Sequence, residues 1–421
     1  MKTEIVIAQV AEWSIARGCK PRALTGYGGS NPSLRIGINL YPENKKGGNN
    51  MAEKMTYAGV GVNYDAMDPF KRMAQLAGRE TRDNIKRLNS GEFREVEMSR
   101  GESVYLIEAA KSYLAHVEEG LGTKNLVADS MYRITGKSYY DNIAEDTVAM
   151  IVNDMITLGA LPLSVAMHLA TGDSKWFDDE KRCRDLIGGW KNACNLARCV
   201  WGGGETPTLK GVIVPGTVLV SGSAIGIVKP KKRLITAENI RHGDAIIFVE
   251  SSGIHANGLT MARKIADKLP DGYLTKLGNG RTYGETLLDP THIYVALIEE
   301  CLNQGVNVHY AVNITGHGWR KLMRATKPFA YIIEALPSQQ LIFEFIQKHG
   351  PVDDAEAYGN FNMGAGFALY VSEADVKKVE EVAKSHHFDV LCAGHIERSK
   401  EKKVVIKPKG LEYQGAMLGV R

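Results

Sequence analysis

Apolar positions follow two periods along this chain, and their alternation predicts the architecture. The stretch "SVYLIEAAKSYLAHV", from residue 103, is β-branched and aromatic and predicts one or two strands. From residue 141 a helical period takes over: in "DNIAEDTVAMIVNDMITLGA" Val148, Ile151, Val152, Met155 and Ile156 share a face, and Gly159 and Pro162 stop it. "LSVAMHLATG" predicts a strand, residues 175–198 an amphipathic helix, and "VLVSGSAIGIV" a strand rich in small residues. The pattern then breaks at "KPKKRLITAENIRHGD", a charged, proline-containing linker. Beyond it come strand "AIIFVES", helix "GLTMARKIADKL", helix "PTHIYVALIEECLNQG", strands "VHYAVNI" and "FAYIIEAL", helix "QLIFEFIQKHG", strand "GFALYV", helix "EADVKKVEEVAKSH" and strands near "FDVLCAGHIE" and "KKVVIK". Helices of about a dozen residues alternating with strands of five or six predict two α/β domains, placed at 51–235 and 236–421.

Composition adds little to this, but charge distribution changes one part of it. With 44% hydrophobic and 24% charged residues the chain is of ordinary globular type, and no run approaches the ~18 apolar residues of a membrane span. The formal charge of +4 resides in residues 1–50, which hold seven Lys or Arg against three Glu; the remainder balances at 45 of each sign. Neither a nucleic acid nor a membrane is therefore an expected partner. Residues 1–50 also permit an unusual nucleotide reading. "RGCKPR" can be encoded as a stem-loop carrying a tyrosine anticodon, "GGSNP" as a T-arm, and "KKGGNNM" as a ribosome-binding site just ahead of Met51. The expectation is a translated tRNA gene plus leader, with the protein proper starting at Met51; a basic targeting peptide or a disordered native tail are the alternatives. Six cysteines without a C-x-x-C pair predict reduced thiols in a cytoplasmic protein and no zinc site.

Candidate chemistry clusters where strands run into glycine-rich turns. "EEGLGTK" packs Glu118, Glu119, Gly120, Gly122, Thr123 and Lys124 into seven residues. Glycines let backbone N–H groups approach a phosphate and a carboxylate can hold Mg²⁺, although the stretch fits neither the Walker nor the Rossmann spacing and could be a solvated turn. On the helix from residue 141, Asp146 and Asn153 are seven apart and Asp154 follows, a plausible metal and triphosphate anchor; the plain alternative is a first-turn dipole partner with two water-facing residues. "WGGGETPTLKG" presents Glu205 and Thr206 after three glycines, "SSGIHANG" presents His255 and Asn257 in a turn that opens a helix, and "NITGHGW" places Gly316 where a strand gives way to a helix.

In this order, these stretches resemble the aminoimidazole ribotide synthetase (phosphoribosylformylglycinamidine cyclo-ligase) family. "EEGLGTK" is similar to a family D-G-V-G-T-K, "AEDTVAMIVNDMITLGALPL" to G-I-D-L-V-A-M-C-V-N-D with its following G-A-x-P, and "GGGET", "SSGIHANGLTMARKI", "LLDPTHIYV", "NITGHG" and "FNMGAGFALYV" extend the match over nearly all of the chain after Met51. The resemblance implies a PurM-like α/β fold. Its N-terminal domains pair into a β-barrel across a homodimer, and its C-terminal domain is a mixed sheet with flanking helices. It also implies ATP and Mg²⁺ as cofactors and ATP-dependent ring closure of formylglycinamidine ribotide through a phosphorylated amide oxygen. By resemblance Glu119, Asp146 and Asp154 hold metal. Gly120, Gly122, Thr123, Lys124, Asn153, Asp154, Glu205, Thr206, Asn257 and Gly316 line the nucleotide, and His255 and Asp146 are catalytic. The chain departs from the family at Glu119, normally Asp; at Asn313 and His317 within the family H-I-T-G-G-G; and at "PTLKG" after "GGET". A small-molecule kinase or a paralogue acting on a different amide is the alternative within the superfamily, and a non-catalytic nucleotide-binding subunit the alternative outside enzymes.

Overall fold

In the computed structural model, which describes residues 55–62, 64–88 and 92–418, the β-branched stretch near residue 104 folds as a hairpin. Strands β1 (Arg94–Glu95), β2 (Tyr105–Glu108) and β3 (Tyr113–Gly120) pair antiparallel in succession. With β4 (Leu161–Thr171), β5 (Val200–Glu205) and β6 (Val218–Val228) they form a six-stranded sheet in the order β1-β2-β3-β6-β4-β5. Helices α1 (Tyr64–Glu80), α2 (Lys124–Thr135), α3 (Tyr140–Met155) and α4 (Glu180–Leu196) belong to this half. Alternation along β3 and β6 turns Ala115, Val117, Val220 and Ala224 inward. The predicted apolar face of α3 packs over them, with Val148, Ile151, Val152 and Met155 fully buried. Helix α4 covers α3 from the other side, so α3 is enclosed almost along its whole length. The opposite face of the sheet leaves Leu114, Leu163, Leu219 and Ile225 exposed.

The second sheet comprises β7 (Ala245–Glu250), β8 (Val308–Asn313), β9 (Phe329–Ile333), β10 (Ala365–Val371), β11 (Val390–Arg398), β12 (Lys403–Ile406) and β13 (Leu411–Gln414), in the order β13-β12-β9-β11-β7-β10-β8. Strands β8 and β10 are buried at every position, and β7 at all but its last, which explains the apolar runs of β7 and β10, while β8 buries His309 against Asp244 and Asn313 against Asp154. Around them lie α5 (Leu259–Ala266), α6 (Tyr283–Leu287), α7 (Val295–Asn303), α8 (Leu341–His349), α9 (Asp354–Asn360) and α10 (Val376–Ser385). The sheets are joined through residues 229–244, and the expected division at 235 falls inside that connection. The expectations for residues 1–50 lie outside the described residues. Among the described residues no helix is long and apolar enough to cross a membrane.

Three local expectations need correction. The helix expected over 175–198 is a 3₁₀ turn, Ser174–Asp178, followed by α4, because the Asp179 side chain accepts the Arg182 N–H at 3.0 Å and restarts the helix as an N-cap. "WGGGE", read as a turn, is edge strand β5, parallel to β4; a Cβ at Gly204 would stand 2.1 Å from the Met167 carbonyl, so only glycine lets the strand come this close. The helix expected from Pro290 begins only at Val295.

Two adjacent glycines of α4 test the packing. The Gly189 Cβ position lies 2.4 Å from the Asp141 carbonyl oxygen of α3, whereas that of Gly188 meets nothing within 4 Å. Gly189→Ala is expected to lower the unfolding free energy by about 1–3 kcal/mol, and Gly188→Ala to raise it by roughly 0.5–1 kcal/mol. Urea denaturation of both variants reads the difference; equal effects would mean that α3 and α4 are not in backbone contact.

Candidate active site

The chain leaves β3 through Gly120 and Gly122, the latter at φ 79°, and enters α2 at Lys124. Nothing of Lys124 is exposed. Its Nζ lies 2.8 Å from both carboxylate oxygens of Asp146 on α3 and donates to the Asp289 carbonyl at 2.7 Å. Asp146 also accepts from the Thr291 N–H at 2.9 Å and the Thr291 hydroxyl at 2.6 Å. Burial pushes the Asp146 carboxyl upward against the pull of Lys124 and Thr291. Two turns along α3, Asn153 donates to the His292 carbonyl at 2.7 Å and accepts the Tyr294 N–H at 3.0 Å. Two α3 side chains thus claim the backbone groups of Thr291, His292 and Tyr294, which is why α7 starts late. The expected metal role of Asp146 meets a carboxylate already engaged by an ammonium and a threonine.

A second group gathers at the C-terminal end of α3, about 12 Å from Asp146 at 1.5 Å rise per residue. Asp154 is buried and accepts from Asn313 Nδ2 at 2.8 Å; the Asn313 carbonyl accepts Lys321 Nζ at 3.2 Å, and the same ammonium donates to the Thr315 hydroxyl. Glu119 enters from β3. Burial, and then the charge of Asp154, push its carboxyl up to about 7, with Lys321 opposing. Burial holds the Lys321 ammonium below its usual range. Lys321 and Thr291 were not singled out by sequence reasoning. Lys321 lies five residues past Gly316 in a stretch read only for its glycines, and nothing in its spacing announces a buried ammonium.

His255 is buried at φ 60°, and its Nε2 accepts the Ser252 N–H at 3.2 Å. Burial, with the nearby His292 and Lys124, holds its pKa well below the usual histidine range, so the ring is neutral at physiological pH. Asn257 reaches Met150 Sδ of α3 at 3.7 Å, and Thr123 and Thr260 bring their hydroxyls within 3.5 Å. The His255 turn therefore lies against both α3 and the start of α2. Gly316 is half-buried in the turn that follows β8. Glu205 and Thr206 are exposed at the end of β5. A cavity of about 670 Å³ lies on the second sheet beside Glu373, Lys377, Cys392 and His395, away from these groups.

Comparison with known proteins matches both halves of the chain to a family. Residues 103–228 match the N-terminal domain, and residues 241–407 the C-terminal domain, of AIR synthase related proteins. The phosphoribosylformylglycinamidine cyclo-ligase of Methanococcus maripaludis is 36% identical over 308 residues, 72% of this chain and 83% of the relative. That of Carboxydothermus hydrogenoformans is 33% identical over 362 residues, 84% of this chain and 99% of the relative. Among solved structures, the HypE-HypF complex superposes with a TM-score of 0.54 at 17% identity, covering 74% of this chain and 92% of that one. AaThiL complexed with AMPPCP and TMP superposes with 0.51 at 15% identity, covering 79% and 94%. At such identities the structures speak for the fold alone.

Removing Asp146 leaves Lys124 buried without its counter-charge, so Asp146→Ala is expected to cost about 3–5 kcal/mol of stability, and the double variant with Lys124→Met less than the single. Chemical denaturation checks the order; a double variant less stable than Asp146→Ala would refute the pairing. His317 supplies a pH test. Burial, then the charges of Arg320, Lys321 and Lys71, hold its imidazole down to about 3 from 6.5. A depressed pKa means stability that is present above about 6.5 and lost as pH falls toward 3. His317→Asn, which tolerates the left-handed backbone at φ 71°, is expected to flatten the fall of the melting temperature on that acid limb.

Proposed function

The chain belongs to the AIR synthase related family, and on that premise we propose that it closes formylglycinamidine ribotide to aminoimidazole ribotide at the expense of ATP. The observation that carries this reading is the meeting of the Gly120–Lys124 turn, Asp146 and His255 around α3, in a chain about one third identical to cyclo-ligases over most of its length. The first backbone N–H groups of α2 have no intrahelical partner and suit a phosphate, with Gly120 and Gly122 giving it room. Lys124 is too enclosed to touch the phosphate as it stands; it adds positive charge behind the turn while Asp146 holds it in place. Asn153 fixes the 291–294 segment beside the site. His255, neutral and anchored through Nε2, would activate the amide by donating a hydrogen bond from Nδ1.

Glu119 and Asp154 supply two neighbouring carboxylates, which fits Mg²⁺, an ion that usually takes one or two carboxylates and completes its shell with phosphate oxygens and water. Among the described residues no group of three or more His, Cys, Asp or Glu could hold a metal without such help. When bound there, Mg²⁺ would neutralise charge on the phosphates. Glu205, Thr206, Asn257 and Gly316 remain assigned to the nucleotide and substrate by resemblance, with Glu205 and Thr206 needing a closed or paired form to be covered. The exposed Leu114, Leu163, Leu219 and Ile225 face is where a second copy would pack, making the N-terminal halves a barrel across a homodimer. This arrangement fits a cytoplasmic enzyme.

Given ATP, Mg²⁺ and formylglycinamidine ribotide, protein started at Met51 is expected to form the aminoimidazole product. His255→Ala should lower turnover by about 10². Intact ATP binding without product would instead favour a different amide substrate or a non-catalytic subunit. Leu219→Asp should shift the sedimentation mass toward that of a monomer; an unchanged mass would remove the barrel from the reading.

A further inference from the structure

Helix α4 ends in a way that brings two thiols together. Arg198 adopts the left-handed conformation at φ 54°, its N–H bonds the Asn195 carbonyl at 3.1 Å, and the Cys199 N–H bonds the Cys194 carbonyl at 3.0 Å. This is the paired hydrogen-bond pattern of a Schellman motif, in which the side chains of the two residues joined by the outer bond normally make an apolar contact. Here those two residues are Cys194 and Cys199. Both line a surface cavity of about 290 Å³ beside Pro162, Leu163, Arg198 and Val200. Cys194 is buried and Cys199 half-buried, so the second sulfur is the one a small oxidant meets.

We propose that Cys194 and Cys199 are a redox modification site that closes to an intramolecular disulfide with a peroxide as oxidant. Exposure gives them different parts in the chemistry: the half-buried Cys199 meets the oxidant, the buried Cys194 resolves it, and the influence of each thiol on the other favours the Cys199 thiolate. The Cys199 thiolate attacks one peroxide oxygen, the O–O bond breaks, and water leaves after protonation, with Cys199 now a sulfenic acid. The Cys194 sulfur then attacks Cys199 Sγ; the S–O bond breaks and a second water departs with the Cys194 proton. One peroxide is reduced to two waters and two thiols are oxidised to one disulfide. The bond staples the end of α4 to the start of β5. A small thiol reverses it by exchange. Cys301 is buried in the same kind of turn at the end of α7, but there the outer bond joins it to Val306, so no second thiol faces it, and Cys392 is exposed on β11.

Trypsin gives a direct readout because Arg198 separates the two cysteines into peptides 192–198 and 199–210. The full chain is treated with hydrogen peroxide, its remaining thiols are alkylated, and the digest is read by mass spectrometry without reductant. The expected result is a joined peptide pair lighter by two hydrogens than the sum of its parts, which separates on addition of dithiothreitol. In Cys194→Ser the pair should vanish and Cys199 should be trapped by dimedone as sulfenic acid. Recovery of the two peptides apart, with Cys199 untouched or carried to sulfonic acid in the wild-type chain, overturns the proposal. So does a Cys199 crosslink to any other cysteine. The readout needs no substrate, so it stands or falls separately from the ring-closing activity.

Discussion

The buried contact between Lys124 and Asp146 is the constraint on which the site depends. An ammonium and a carboxylate, neither with any exposed surface, lie 2.8 Å apart and draw in the Asp289 carbonyl and Thr291. Such a pair rarely adds net stability over an apolar one, because removing two charges from water costs about what their attraction returns. Its effect is on geometry. It holds the first residue of α2, the middle of α3 and the approach to α7 in a single register, and so fixes where the Gly120–Lys124 turn faces.

Helix α3 carries a second polar group at its other end, and the two ends differ in kind. Around Asp146 the carboxylate and the Lys124 ammonium are closed off from solvent, with the half-buried Glu145 beside them. Around Asp154 two carboxylates, Glu119 and Asp154, lie near the cations Lys321 and Arg324, and burial, then the charge of Asp154, pushes Glu119 up to about 7. The apolar stripe between the two groups, Val148, Ile151 and Val152, is what keeps them apart.

Much of the fold was legible because burial repeats with a period. The hairpin at 105–120, α3, β6 and the fully buried strands of the second sheet each write their environment into consecutive residues. Elements whose partners are distant in sequence were less legible. The glycines of β5 look like a turn until β4 is laid beside them, and "PTHIY" has helical character that yields only because Asp146 and Asn153 claim its backbone. The candidate site divides in the same way. The positions of Lys124, Asp146, Asn153 and His255 were visible in local motifs, whereas Lys321 takes its importance from the charge of Asp154, 167 residues away in sequence, and Thr291 from its bonds to Asp146, 145 residues away.

By itself the sequence determined which residue types stand at each strand end, the α/β alternation and the family, since these depend on local periodicity and on motifs in order. Only the tertiary structure decided which charges face each other. It set Asp146 against Lys124 and left Glu119 with Asp154, and it showed that a neutral His255 sits inside the protein instead of on its surface. The physical reason is that pairing and desolvation act through space. A carboxylate reads the same in a sequence whether its neighbour in the fold is an ammonium, another carboxylate or water.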